Sequence, residues 1–138
     1  MESQSIYLTI LESKSEPILY EERDWFVIFA NKPCNEGHLL LIPKLQVADF
    51  YNLPSHTLNR GFELATKLSK VLKLIYPETR PALFIKGFTY AIHTHIHVTP
   101  AYGSADLDFD PDRPSISSEQ MFQLADKFTD HIRVILSE

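Results

Sequence analysis

Apolar residues fall in two kinds of pattern along the chain. Ile18–Tyr20 and Trp25–Ala30 are aromatic-rich runs separated by the charged Glu21–Asp24, which predicts an antiparallel hairpin. The stretch NKPCNEG is a turn cluster, and His38–Ile42 follows as a third strand that Pro43 stops. The period then changes. Val47–Tyr51 reads as a short helical piece, and a longer helix starts near Asn52–Ser55, with Pro54 tolerated in its first turn. Leu58, Phe62, Ala65, Leu68, Leu72 and Ile75 form one helical stripe that Pro77 ends. Ala82–Lys86 and Ile92–Thr99 predict two more strands, Tyr102–Pro114 a loop. One last helix opens on a capping box, Ser117 with Gln120, and buries Met121, Leu124, Phe128, Ile132 and Ile135. Residues 1–16 are polar apart from Ile6–Leu11 and predict a mobile or loosely docked segment ahead of a single domain over 17–138. Strands, helix, strands, helix is the order of an α+β domain with an antiparallel sheet.

Composition narrows the function classes. The 138 residues suit one core, and 44% hydrophobic with 22% charged residues is ordinary for a globular domain. A formal net charge of −5 argues against a nucleic acid held by its backbone phosphates, but not against a mononucleotide, which feels the local site. Cys34 is the only cysteine, so neither an intramolecular disulfide nor a multi-cysteine zinc site can form. The opening residues lack a basic stretch and a long apolar run, and no segment approaches ~18 consecutive apolar residues. The expectation is a cytoplasmic protein without a membrane partner.

Three of the six histidines, His93, His95 and His97, alternate in AIHTHIHVTP. On a strand they share one face, with Thr94, Ile96 and Val98 on the other. Imidazole near neutral pH offers both protonation states, and its neutral form attacks phosphorus well. Crowding would depress some pKa values and leave one ring neutral for attack while others stay cationic to stabilise phosphoryl oxygens. A zinc site is the rival reading. Same-face Cα atoms on a strand are ~6.6 Å apart, and the outer pair ~13 Å, so all three cannot reach one ion from a straight strand. A metal would need two of them with a distant ligand such as His38.

The sequence at this point resembles the histidine-triad (HIT) family, whose signature is His-x-His-x-His followed by apolar positions, here HTHIHVT. The earlier NKPCNEGHLLLIPK resembles the family's turn, Gly-His, apolar strand and Ile-Pro-Lys, with Gly37, His38, Ile42, Pro43 and Lys44 in place. The tail DFDPDRPS before a last helix is similar to that of bacterial members. The likeness spans about residues 17–136. It implies a HIT-like fold: an antiparallel sheet, one long central helix and a C-terminal helix. It also implies that His95 is a nucleophile that becomes nucleotidylated. His97 would contact the phosphate and assist the leaving group, His93 would orient the others, and His38 would complete a proton relay. Asn31 would hold the ribose, while Val27, Phe29 and Leu40 would line the base pocket. The expected substrate is a purine nucleotide, as a dinucleoside polyphosphate or nucleoside phosphoramidate, with no required cofactor, a divalent cation such as Mg accompanying the nucleotide, and a homodimer. The stretch KGFTYAI before the triad is shorter than the family's and lacks its Asn and Gln; Lys86, Thr89 and Tyr90 are the donors available there. That shortening motivates an alternative, a non-catalytic nucleotide-binding module; a His-ligated metalloprotein is a further one.

Other signals are weaker. Asp106, Asp108, Asp110 and Asp112 alternate, but an EF-hand starting at Asp106 would need Gly and Glu where Pro111 and Ser117 stand, leaving a solvated acidic loop. His56 and His131 read as ordinary surface or edge residues, Lys44 as a solvated strand end and Cys34 as a turn residue. Neither a Walker nor a Rossmann glycine pattern is present.

Overall fold

The computed structural model describes residues 3–88, 90, 92–108 and 110–138. Strands β1 (Tyr20–Glu21), β2 (Trp25–Phe29), β3 (Leu39–Pro43), β4 (Arg80–Ile85) and β5 (Ile96–Ala101) form one sheet in the order β1-β2-β3-β5-β4. Every neighbouring pair is antiparallel. The helices are α1 (Ile6–Ser13), α2 (Ser55–Ile75), α3 (Ser118–Ala125) and α4 (Thr129–Leu136). The α+β expectation therefore holds. Among the described residues no helix is long and apolar enough to cross a membrane.

β2 and β3 bury every residue because both faces of the sheet are covered. Alternation sends Trp25, Val27, Phe29, Leu39, Leu41, Ile96 and Val98 into a core shared with α2, α3 and α4. It sends Phe26, Ile28, Leu40 and Ile42 into a second, smaller core under α1, with Ile10, Tyr7, Leu8 and Leu11. The larger core is fitted closely. The Trp25 indole N–H donates to the Thr57 carbonyl at 2.9 Å, and its ring lies where a Cβ on Gly61 would clash. Glycine weakens a helix interior by about 1 kcal/mol, and here it makes room for the indole.

Several elements differ from expectation. Residues 6–13 of the polar start form a helix, α1. Ser5 caps α1 by accepting the Tyr7 N–H, and its own N–H donates to Gln46 Oε1 at 2.7 Å. The terminal helix is two short helices: the Lys127 and Phe128 N–H groups bond back to Leu124 and Ala125, a tighter turn that seats Phe128 in the core. The helical piece at 47–51 is a single 3-10 turn, Phe50–Asn52. The strand expected over Ile92–Thr99 begins only at Ile96.

Candidate active site

The late start of β5 decides the site. Leu40 pairs with His97 and Leu41 with Ile96, and the next positions of β3 lead to Pro43, which has no N–H for a ladder. Upstream of Ile96 the chain leaves the sheet, and the Thr94 N–H donates to the Val47 carbonyl at 2.7 Å. Only His97 is thus on the strand; His93 and His95 belong to the irregular segment before it. The triad is also not an open polar face. His93 is 0%, His95 6% and His38 4% exposed.

Buried imidazoles need partners, and the partners fix where the protons sit. A carbonyl oxygen only accepts, so His93 carries its proton on Nε2, donating to the Pro43 carbonyl at 2.7 Å. For the same reason His95 is protonated on Nδ1, donating to the His93 carbonyl at 3.0 Å, and its Nε2 holds a lone pair. His38 sits at the entrance to β3, where its Nδ1 accepts the Cys34 backbone N–H at 2.9 Å. Its proton is therefore on Nε2, which donates to His97 Nδ1 at 2.9 Å. That leaves the His97 proton on Nε2. No bond among the described residues engages His95 Nε2 or His97 Nε2, and the two rings are 4.8 Å apart at their centroids. A lone pair and an N–H thus sit on neighbouring rings.

Burial holds all four rings toward the neutral form. It pushes His38 down to about 3, helped by Lys86, Arg113 and His95, and His97 down to about 2, helped by His95, His38 and Lys86. His93 and His95 are lowered by the same burial. An added proton on His97 Nδ1 would face the His38 N–H. The expected mixture of one neutral ring among cationic ones is therefore corrected: in the free protein the flanking rings are neutral hydrogen-bond donors.

Aromatic rings complete the enclosure. Phe84, opposite His97 on β4, stacks on it with centroids 4.5 Å apart and planes 13° apart, and the Lys86 ammonium lies 5.3 Å from the Phe84 centroid. Tyr7 of α1 sets its ring edge-on against His95 at 5.0 Å and His93 at 5.8 Å. Burial, with Tyr90 and Glu16, pushes its hydroxyl up to about 12. The Tyr90 hydroxyl accepts the Ile6 N–H at 2.8 Å, tying α1 to the segment before the triad. His93 Nδ1 is buried without a partner.

Not every residue read from the sequence arrives here. His38, His93, His95 and His97 come together. Leu40 lies on the histidine face, across from His97. Val27 and Phe29 point to the opposite, α2 side, because strand alternation places Ile28 beside Leu40 instead. Asn31 is exposed in the turn, where its carbonyl accepts the Ile116 N–H; Ala30 takes the histidine-face position. Thr89 lies outside the described residues. Sequence reasoning missed Tyr7, Phe84 and the Cys34 N–H. Tyr7 sits in the apolar stretch of an otherwise polar start, and Phe84 follows from register once β4 is paired. The Cys34 contact is made by backbone and has no side-chain signature.

A metal fits this arrangement poorly. Both nitrogens of His38 are already in hydrogen bonds and His97 Nε2 holds its proton, which leaves lone pairs only on His95 Nε2 and His93 Nδ1, too few to close a site. No three His, Cys, Asp or Glu side chains among the described residues are grouped as ligands of one ion. A separate cleft of about 490 Å³ opens between the 33–38 turn and α3; it reaches His38 but is not lined by the triad.

Comparison with known proteins agrees with this geometry. Residues 12–104 match the HIT domain family. The chain belongs to that family. It is 27% identical over 104 residues to the adenosine 5'-monophosphoramidase HNT1 of Saccharomyces cerevisiae, covering 72% of this chain. The chain spans 64% of that relative's length. Among solved structures, a hypothetical histidine triad nucleotide-binding protein from Sulfolobus tokodaii superposes with a TM-score of 0.78 at 20% identity, covering 95% of this chain and 93% of that one. A zinc-bound histidine triad family protein from Mycobacterium smegmatis gives 0.71 at 21%, covering 96% of both. These likenesses establish the HIT fold.

Proposed function

We propose that this HIT protein is a nucleotide hydrolase or transferase that works at the α-phosphate of a purine nucleotide, through a nucleotidyl group carried on His95. The observation that carries the reading is the lone pair on His95 Nε2 and the N–H on His97 Nε2, on rings whose centroids are 4.8 Å apart among neutral imidazoles. The name of the yeast relative supports a phosphoramidate substrate; the resemblance supports a dinucleoside polyphosphate equally.

In the first step the His95 lone pair forms an N–P bond, and the bond from phosphorus to the leaving atom breaks with its electron pair going to the leaving group. The His97 N–H donates a hydrogen bond to a phosphoryl oxygen. A bound anion beside it stabilises charge that develops in the transition state. Holding the His95 proton on Nδ1 against the His93 carbonyl fixes the ring, so the attacking atom needs no search. Water then takes the nucleotidyl group and the N–P pair returns to His95. Solvent protonates the leaving group in the first step; in the second, one water proton stays with the monophosphate and the other returns to solvent. A Mg2+ ion travels with a polyphosphate substrate instead of residing in the protein. β4 is one of the two sheet edges, with Leu83 exposed, which supports a homodimer in which a second copy covers it. The lone unpaired Cys34 is in keeping with cytoplasmic work.

The test is turnover of a panel of adenosine and guanosine phosphoramidates and dinucleoside polyphosphates by the wild type and by His95→Ala. Release of the nucleoside monophosphate by the wild type, reduced to background in the variant, is expected. Full turnover by His95→Ala overturns the reading. Tight monophosphate binding without turnover of any substrate replaces it with a non-catalytic binding module.

A further inference from the structure

The sequence leaves the loop after β5, with its alternating aspartates and Arg113, without a function. The structure ties this loop to the triad. We propose that Arg113 is a positioning residue: it clasps the turn before β3 to the loop after β5 and thereby fixes which ring nitrogens of His38 and His97 carry protons. The inference rests on the triad being the reacting centre.

The clasp is specific. Arg113 Nη1 donates to the Cys34 carbonyl at 3.2 Å, while Nη2 donates to the carbonyls of Asp106 at 2.8 Å and Asp108 at 2.9 Å. One planar guanidinium thus gathers three acceptors from two chain segments that lie far apart in sequence. A second strap runs beside it. Asn35 Nδ2 donates to the Pro100 carbonyl at 3.1 Å and to Asp106 Oδ2 at 2.9 Å, and that carboxylate also accepts the Tyr102 N–H at 2.8 Å. Asp106 is a loop-closing acceptor, so the acidic pattern is not a cation loop.

The residue whose carbonyl Arg113 holds is the residue whose N–H sets the relay. Cys34 donates to His38 Nδ1, which forces the His38 proton onto Nε2, which in turn forces the His97 proton onto its own Nε2. If the turn is released, His38 can take its proton on Nδ1 and accept from His97. His97 then presents a lone pair, not an N–H, to the phosphate. Attraction becomes repulsion at the atom next to the nucleophile. Arg113 touches neither ring and acts through two hydrogen bonds, as outer partners of a catalytic imidazole do.

The experiment reads the ring nitrogens directly. Nitrogen-15 spectra of uniformly labelled wild type, Arg113→Ala and Arg113→Lys are recorded at neutral pH, with kcat and KM on the best substrate of the panel. The wild type should show both rings as single Nε2–H tautomers. Arg113→Ala should show averaged tautomers at His38 and His97, and kcat lower by roughly tenfold to hundredfold with KM nearly unchanged. Arg113→Lys, which keeps the charge but not the fork, should fall between them; it carries the test alone if the alanine variant does not fold. Wild-type ring spectra in both variants overturn the proposal, whether or not turnover falls, because a loss of fold stability alone leaves the tautomers unchanged. Shifted tautomers with full kcat overturn it too. If the wild type turns over no nucleotide, the catalytic reading fails while the spectra still decide the clasp.

Discussion

The two faces of the sheet are built from neighbouring residues of the same strands, yet they solve different problems. The α2 face is apolar throughout and closed by a helix of 21 residues with α4 alongside. The histidine face has a smaller apolar floor, a helix of 8 residues over it, three buried imidazoles and a fourth, His97, that is half-buried. On the first face, packing dominates, with the buried Trp25–Thr57 hydrogen bond as its polar anchor. On the second, each ring is held by a named hydrogen bond, and among the described residues three ring nitrogens stay unengaged: His95 Nε2, His97 Nε2 and the buried His93 Nδ1. The fold is thus stabilised on one side and spends that stability on the other, where burial of polar rings costs free energy that only partners offset.

This contrast can be broken from either side. The largest effect falls on the packed face. Gly61→Ala forces a methyl group into the Trp25 ring and should lower unfolding free energy by about 2–3 kcal/mol in a denaturant titration, with kcat of the folded fraction retained. His38→Ala should do the converse. The His97 ring loses its donor, and kcat should drop about tenfold to hundredfold, read by steady-state assay, with little change in melting temperature.

Much of this division was legible in the sequence. The stripe Leu58–Ile75 marked the α2 face, and Gly-His followed by HxHxH marked the four rings. The failures have one cause: residues whose place is set by tertiary bonds. Uniform alternation put His93 and His95 on a strand, because nothing local says that Pro43 ends the ladder and Val47 takes the Thr94 N–H. Val27 and Phe29 were grouped with Leu40 although they lie on the opposite face, because a run buried on both faces carries no sign of which face is which. The docking of α1 was hidden because its apolar residues are few and its cap bond reaches Gln46.

Acid titration sharpens the comparison further. His38 and His97 have folded-state values near 3 and 2, below the ordinary histidine range around 6.5, so between those values the unfolded chain binds more protons. Stability should be full above about pH 6.5 and fall as pH drops, by about 1.4 kcal/mol per pH unit for each proton. His38→Gln should reduce that slope in thermal melts, whereas Gly61→Ala should shift the curve without changing it. The smallest expected effect lies at the solvent-exposed start of α3. Ser117→Ala removes one half of the α3 capping box and should cost about 1 kcal/mol by chemical denaturation, with kcat unchanged.

The central assignment, that His95 Nε2 is the atom that takes up the nucleotide, has a direct test. Wild-type protein is mixed with substrate, quenched in milliseconds under conditions that preserve N–P bonds, digested and mapped by mass spectrometry. The account predicts a nucleoside monophosphate adduct on the peptide carrying His95, located on that residue. Turnover that proceeds with no adduct, or an adduct on His38, His93 or His97, contradicts it.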